Sequence, residues 1–292
     1  MYHELKKSKP EIHVPEVTPL KVNYRTHNGI LGAAGEVVAM IQKMFPDSID
    51  KLPKDRGYFP GSPPFIVTER EDLLQLLIGS DEEKSQIEFG AHQVIIVRTA
   101  EAKKTLPSEL KGAIVLTVFE AKGLEFDDVF LIDFFKDSPA TEDEWRSICW
   151  YMQQQLDDDE DEQAYATSVL GAAPRPLRDG VFEQSRASYG RVNEELKQLY
   201  TAITRARVSL FMYDSDEDKR LPMFHSLLRR RLTKKLSMAS VNKQLAGENL
   251  DLDNDERAQV ARIRAKSTTP AEWKKAGQRF EDRGLYDAAI KC

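Results

Sequence analysis

Four uninterrupted apolar runs constrain this chain more than anything else in it: HQVIIVRT (92–99), AIVLTVF (113–119), DVFLIDFF (128–135) and RVSLFMY (207–213). Each has the length of a strand, and 113–119 and 128–135 are rich in Val, Ile and Phe. None alternates apolar with polar residues, so each suits a sheet covered on both faces, which in practice is a parallel one. Segments with helical spacing lie between them. In NGILGAAGEVVAMIQKMF (28–45), Ile30, Leu31, Ala34, Val37, Val38 and Ile41 recur at intervals of three and four, with Asn28 as a cap. LKVNYR (20–25) and PPFIVT (63–68) predict short strands. DLLQLLI (72–78), TAEAKKTL (99–106, opened by Thr99) and RVNEELKQLYTAIT (191–204) predict helices. Strands alternating with helices predict an α/β fold with a mostly parallel sheet, whose ligands meet the loops beyond the carboxyl ends of the strands.

Composition narrows the function classes. The net charge is -6 over 292 residues, which argues against a generally basic nucleic-acid coat and leaves room for a local basic track. The two cysteines, Cys149 and Cys292, make neither a disulfide framework nor a zinc cluster, so a reducing compartment, nucleus or cytoplasm, is expected. No apolar run approaches the roughly 18 residues of a membrane span, and MYHELKKSKPEIHVPEV lacks the apolar core of a signal peptide. The basic run RRRLTKK (229–235) reads either as a helix end favoured by its dipole or as a nuclear signal.

Two parts depart from the α/β rhythm. EDEWRSICWYMQQQLDDDEDEQAYATS (142–168) predicts a helix followed by the acidic run 157–162, within an inserted segment of about 136–190. The acidic run suits a solvated helix end or a dock for a basic partner. LPMFHSLLRRRLTKK (221–235) predicts a terminal helix with a basic end, and 233–269 reads as a polar linker. In the tail, Trp273, Gly277, Phe280, Gly284, Tyr286 and Ala289 are spaced as in the first helix and second-helix start of a tetratricopeptide repeat. An ordinary amphipathic hairpin has the same pattern.

Three segments carry chemistry. KVNYRTHNGI (21–30), TVFEAKGLEFDDVFL (117–131) and EELKQLYTAITRARVSLFM (194–212) resemble, in order, motifs IV, V and VI of UvrD/Rep-type superfamily 1 helicases. The likeness covers about residues 14–232, with 1–13 a leading segment, and it implies a RecA-like parallel sheet flanked by helices, with a helical insertion and an all-α tail. It further implies that this is the second, C-terminal motor lobe, facing ATP and Mg held mainly by another lobe. Arg25 and Arg205 would then reach the γ-phosphate. Glu125, Gly123 and Tyr200 would line the nucleotide, Tyr200 either by contact or by packing behind Arg205. Thr117, Lys122 and Thr204 would couple the nucleotide cleft to a single strand, DNA by default and RNA as the alternative. Arg207 would instead pair with an acidic neighbour at the strand start.

Two departures bear on this. Phe119 stands where the family usually has histidine, and phenylalanine cannot donate a hydrogen bond. The sequence contains no G-x-x-x-x-G-K-[ST] phosphate loop and no apolar strand ending in Asp-Glu, so the chain on its own is expected not to hydrolyse ATP. A motor lobe followed by a helical repeat resembles the TPR and ankyrin repeat-containing relatives of these helicases, of which the chain would be a fragment. The alternative reading is a non-catalytic scaffold that binds proteins through the acidic insertion or the helical tail.

Overall fold

In the computed structural model, the described residues are 22–50, 54–78, 90–107, 110, 112–154, 160–176, 190–245, 260–261 and 268–292. The leading segment 1–13 and residues 157–159 of the acidic run lie outside them. The chain begins with β1 (Val22–Asn23), α1 (Asn28–Met44), β2 (Arg56–Gly57), β3 (Phe65–Val67) and α2 (Arg70–Ile78). It continues through β4 (Gln93–Val97), α3 (Ala100–Thr105), β5 (Val115–Thr117), α4 (Val118–Ala121) and β6 (Phe126–Ile132). Then come α5 (Glu142–Gln153), α6 (Glu160–Leu170), α7 (Gly190–Ile203), β7 (Ala206–Tyr213), α8 (Glu217–Arg229), β8 (Lys234–Leu236) and α9 (Met238–Leu245). The tail is a hairpin of α10 (Pro270–Glu281) and α11 (Tyr286–Ala289).

The main sheet has the order β5-β4-β6-β7-β3-β8, and its strands pair in parallel throughout. The expected parallel sheet flanked by helices is therefore present. Period-two geometry turns each continuous apolar run into two faces. Val94, Ile96, Val129, Leu131, Leu210 and Met212 bury against α1, α5, α7 and α8 on one side. Ile95, Val97, Phe130, Ile132, Phe211 and Tyr213 bury against α2, α3 and α9 on the other. Phe65, Phe211 and Phe130 stack across three neighbouring strands, with ring centroids 5.5 and 5.1 Å apart.

Several boundaries differ from the sequence reading. His27, not Asn28, occupies the N-cap position of α1, and it makes no side-chain hydrogen bond to the helix. Asn28 turns its amide to a neighbouring loop: Oδ1 accepts from the Gly57 backbone N–H, and Nδ2 donates to the Gly57 and Phe59 carbonyls. Next to it, a Cβ on Gly29 would lie 2.2 Å from the Ser62 carbonyl oxygen, so only glycine permits this approach. The run AIVLTVF stops being a strand at Thr117. There the side chain accepts from the Glu120 backbone N–H, and Glu120 accepts from the Thr117 N–H, a reciprocal capping box that starts α4. Phe119 is thereby moved from an expected core strand to a helix surface, 85% exposed.

The terminal helix begins at Glu217, capped by Asp216, and ends at Arg229. Lys234–Leu236 is not a linker but the outermost strand of the sheet, and α9 follows it, so the α/β unit runs past 232. The basic run is built into this joint. Arg230 pairs with the buried Glu36 at 2.6 Å, Arg231 lies over the Tyr165 ring, and Lys235 donates to the Val169 carbonyl. The inserted segment is also part of the core: Trp145, Ile148, Cys149 and Met152 of α5 are buried. Of the acidic run, 160–162 open α6, where the helix dipole favours negative charge.

Candidate functional site

The bend between β5 and β6 is the centre of the site. Gly123 has φ +79°, a left-handed conformation that glycine adopts without a Cβ penalty, and it turns the chain back toward the sheet. Leu124 and Glu125 follow, just before β6 starts at Phe126. Two arginines from remote parts of the sequence meet these two residues. Arg25 binds Glu125, Nε to Oε1, at 2.6 Å. Arg205 donates from one terminal nitrogen to the Leu124 carbonyl at 2.9 Å. The structure thus brings Arg25, Glu125 and Arg205 to one corner. That corner lies at the amino ends of β6 and β7, not at the carboxyl ends expected of the fold class. The reason is connectivity: the bend after α4 feeds β6 and the turn after α7 feeds β7.

Arg205 is held firmly. Besides the Leu124 contact, its Nε donates to the Thr201 carbonyl at 2.9 Å, and its other terminal nitrogen donates to Thr204 Oγ1 at 3.1 Å. Three of its five N–H donors are committed and two remain. Burial and the neighbouring Arg25 guanidinium pull its pKa below the ordinary arginine value, while Glu125 opposes them. Arg205 thus places a second positive charge beside the Arg25–Glu125 pair without bonding that carboxylate itself, an arrangement that favours an added anion. The Arg25 side chain is 48% exposed.

The loop bearing Arg25 is pinned to β7. Thr26 Oγ1 donates to the Arg207 carbonyl at 3.2 Å, and His27 Nε2 lies 2.8 Å from the Val208 carbonyl oxygen. Arg207 itself sits 3.8 Å from Asp127 Oδ1, the acidic neighbour expected of it. Tyr200 is half-buried against the core. Burial and Asp55 raise its pKa, and Arg205 and Arg25 lower it, so it stands within electrostatic reach of both guanidinium groups.

The other expected residues have different surroundings. Thr204 is buried, with its hydroxyl on the Tyr200 and Thr201 carbonyls, where it braces Arg205. Thr117 lies at the carboxyl end of β5, whereas the corner lies at the amino ends of β6 and β7, and its hydroxyl is engaged in the capping box. Lys122 is exposed on the bend.

Sequence reasoning missed several participants. Glu120 links the bend to α3 through Lys103 at 2.5 Å. Burial pushes the Glu120 carboxyl up, but Lys103 and the Thr117 backbone N–H outweigh it and hold it low. Its signal was legible as T-x-x-E. Arg98 grips the buried Glu195 of α7 through two bonds, at 2.9 and 2.5 Å, and so fixes the helix that delivers Arg205. Tyr24, 72% exposed, stacks on Tyr58 at 5.4 Å, and Tyr58 meets Phe59 edge to face, which leaves an aromatic patch beside Arg25. Among the described residues no group of three or more His, Cys, Asp or Glu could hold a metal ion.

Residues 93–217 match the model of the UvrD-like helicase C-terminal domain, a span that includes Glu125 and Arg205 and leaves out Arg25. Over 290 residues the chain is 38% identical to TPR and ankyrin repeat-containing protein 1 of Homo sapiens, covering 95% of this chain and 9% of that protein. A solved C-terminal domain of a possible DNA helicase from Lactobacillus plantarum WCFS1 aligns with 73% of this chain and 98% of its own length. That likeness, at 14% identity and a TM-score of 0.33, is too low to establish a shared fold. The family likeness thus rests on residues 93–217, less than half of the chain.

Proposed function

We propose that this chain is the C-terminal lobe of an ATP-dependent motor that moves on single-stranded nucleic acid, DNA in preference to RNA. The observation that carries the reading is the meeting of Arg25, Glu125 and Arg205 at one corner. The corner fits a triphosphate, since a second guanidinium, with two uncommitted donors, stands beside the Arg25–Glu125 pair. ATP with its Mg would supply the labile γ-phosphate from another lobe. This chain's part is electrostatic. Arg205, held by three bonds, needs little reorganisation to meet charge that develops on the phosphate, and such a group is worth about 10³–10⁵ in rate. Arg25 would exchange its Glu125 contact for phosphate, and the freed carboxylate would accept from the ribose. Gly123 and Tyr200 shape and back the corner, and the exposed Tyr24 ring offers a π face to a nucleobase.

In this reading Lys122 contacts the strand, while Thr117 and Thr204 act by holding the bend and Arg205. Nucleic-acid contact of this kind weakens with salt. The decisive experiment is ATP turnover in a chain that also carries a phosphate-loop lobe, with Arg25→Ala and Arg205→Ala. Losses of at least a hundredfold support the motor. One observation favours a scaffold instead: the exposed Phe119, apolar where the family usually carries histidine. Turnover unchanged in both variants would select that reading.

A further inference from the structure

We propose that the C-terminal hairpin is a clamp on the β5–β6 bend, with Arg283 as its positioning residue. This rests on the corner described above for its consequence, but not for its geometry. Arg283 leaves the turn between α10 and α11 and lays its guanidinium across the bend. One terminal nitrogen donates to the Lys122 carbonyl at 2.9 Å and the other to the Gly123 carbonyl at 3.1 Å. The next carbonyl, Leu124, is the one that receives Arg205, and the next side chain, Glu125, receives Arg25. Four consecutive residues therefore connect the tail to both arginines of the corner.

The fork geometry of arginine suits this, because two adjacent carbonyls are gripped at once. Gly123 makes room for it: a Cβ there would lie 3.3–3.4 Å from the Arg283 terminal nitrogens. The hairpin is seated by more than this one side chain. Phe280 is buried and stacks on Phe126 with centroids 6.4 Å apart, directly after the bend. Glu272 approaches His92 at 3.2 Å, and Lys291 donates to the Ala113 carbonyl at 2.7 Å. Packing is uneven, however. A cleft of about 430 Å³ separates Leu285 and Ala288 from Lys103 and Val115, so beyond the Lys291 contact the α11 side is less closely seated than the Phe280 side. A partner that pulled the hairpin away would release the bend and loosen both arginine contacts without touching the nucleotide corner.

The clamp is tested on this chain by amide hydrogen exchange. The Lys122, Leu124 and Phe126 amides donate to Phe119, Ala121 and Arg205 carbonyls, so their protection reports on the bend. Arg283 is exposed, and Arg283→Ala should fold normally. We expect exchange at these three amides to rise about tenfold or more, with β4 and β7 unchanged, and Arg283→Lys to restore part of the protection. Phe280→Ala, which unseats the hairpin, should raise the same amides further. Unchanged protection at the bend in Arg283→Ala overturns the clamp, whatever the nucleotide experiment shows. A rise spread evenly over the sheet would overturn it as well, by showing a general loss of stability instead.

Discussion

Removing Arg98 should unfold this protein more readily than any surface change, and the structure says by how much. Glu195 is 2% exposed and receives two bonds from Arg98, which is itself 17% exposed. Truncating Arg98 to alanine leaves a carboxylate inside α7 with neither counter-charge nor solvent. Breaking a buried pair from one side costs about 3–5 kcal/mol. For a chain of this size each kcal/mol moves the melting temperature by about 2–4 °C, so Arg98→Ala should melt roughly 6–20 °C lower. The paired replacement Arg98→Met with Glu195→Leu removes both charges and should recover most of that loss, because the desolvation penalty goes with them. Thermal and urea unfolding of the parent, Arg98→Ala and the paired variant provide the check. A single-variant loss under about 1 kcal/mol, or a double variant no better than the single, would refute the reasoning. The consequence reaches function, since α7 delivers Arg205, and the double variant should restore stability more fully than turnover.

Further outcomes follow from the same geometry. Gly123→Ala forces a side chain into φ +79° and presses on Arg283; it should cost about 1–2 kcal/mol in chemical denaturation, with the loss reduced when Arg283 is also alanine. Asp214 is buried, and burial pushes its carboxyl up to about 7 against three backbone N–H donors. A folded pKa raised above the unfolded value gives stability that is present below about pH 4 and lost as pH rises through about 7, at most about 4 kcal/mol. The difference in unfolding free energy between the parent and Asp214→Asn should therefore slope across that window; a flat difference would contradict the raised carboxyl. Phe119→Ser should change stability by no more than about 0.5 kcal/mol, since the ring is 85% exposed, and a larger loss on melting would contradict its placement on a helix surface.

The parts of the fold that were legible are those where one residue type answers one physical demand. The apolar runs at 93–97, 128–132 and 207–213 gave their strands because continuous burial on both faces leaves no other pattern. The motif spacing also pointed to the corner: Arg25, Glu125 and Arg205, which the resemblance singles out, meet there. What escaped was set by tertiary partners. Lys234 and Lys235 look like surface residues, yet lysines on an outermost strand are a common guard against edge pairing, and only Leu236 turns fully inward. Thr117 ended a strand by capping a helix, a local competition that the apolar run hid. Arg283 carries no mark in the sequence at all, because its acceptors are backbone carbonyls far from it in the chain.

The measurement that tests the corner most directly is a double-mutant cycle on single-turnover ATP cleavage, in a chain that joins this lobe to one bearing a phosphate loop. If Arg25 and Arg205 serve the same phosphate, each alanine variant should be severely slowed, and the pair should be little slower than the worse of the two. If the two losses simply multiply, or if either variant keeps the parent rate, the guanidinium groups do not act as one site.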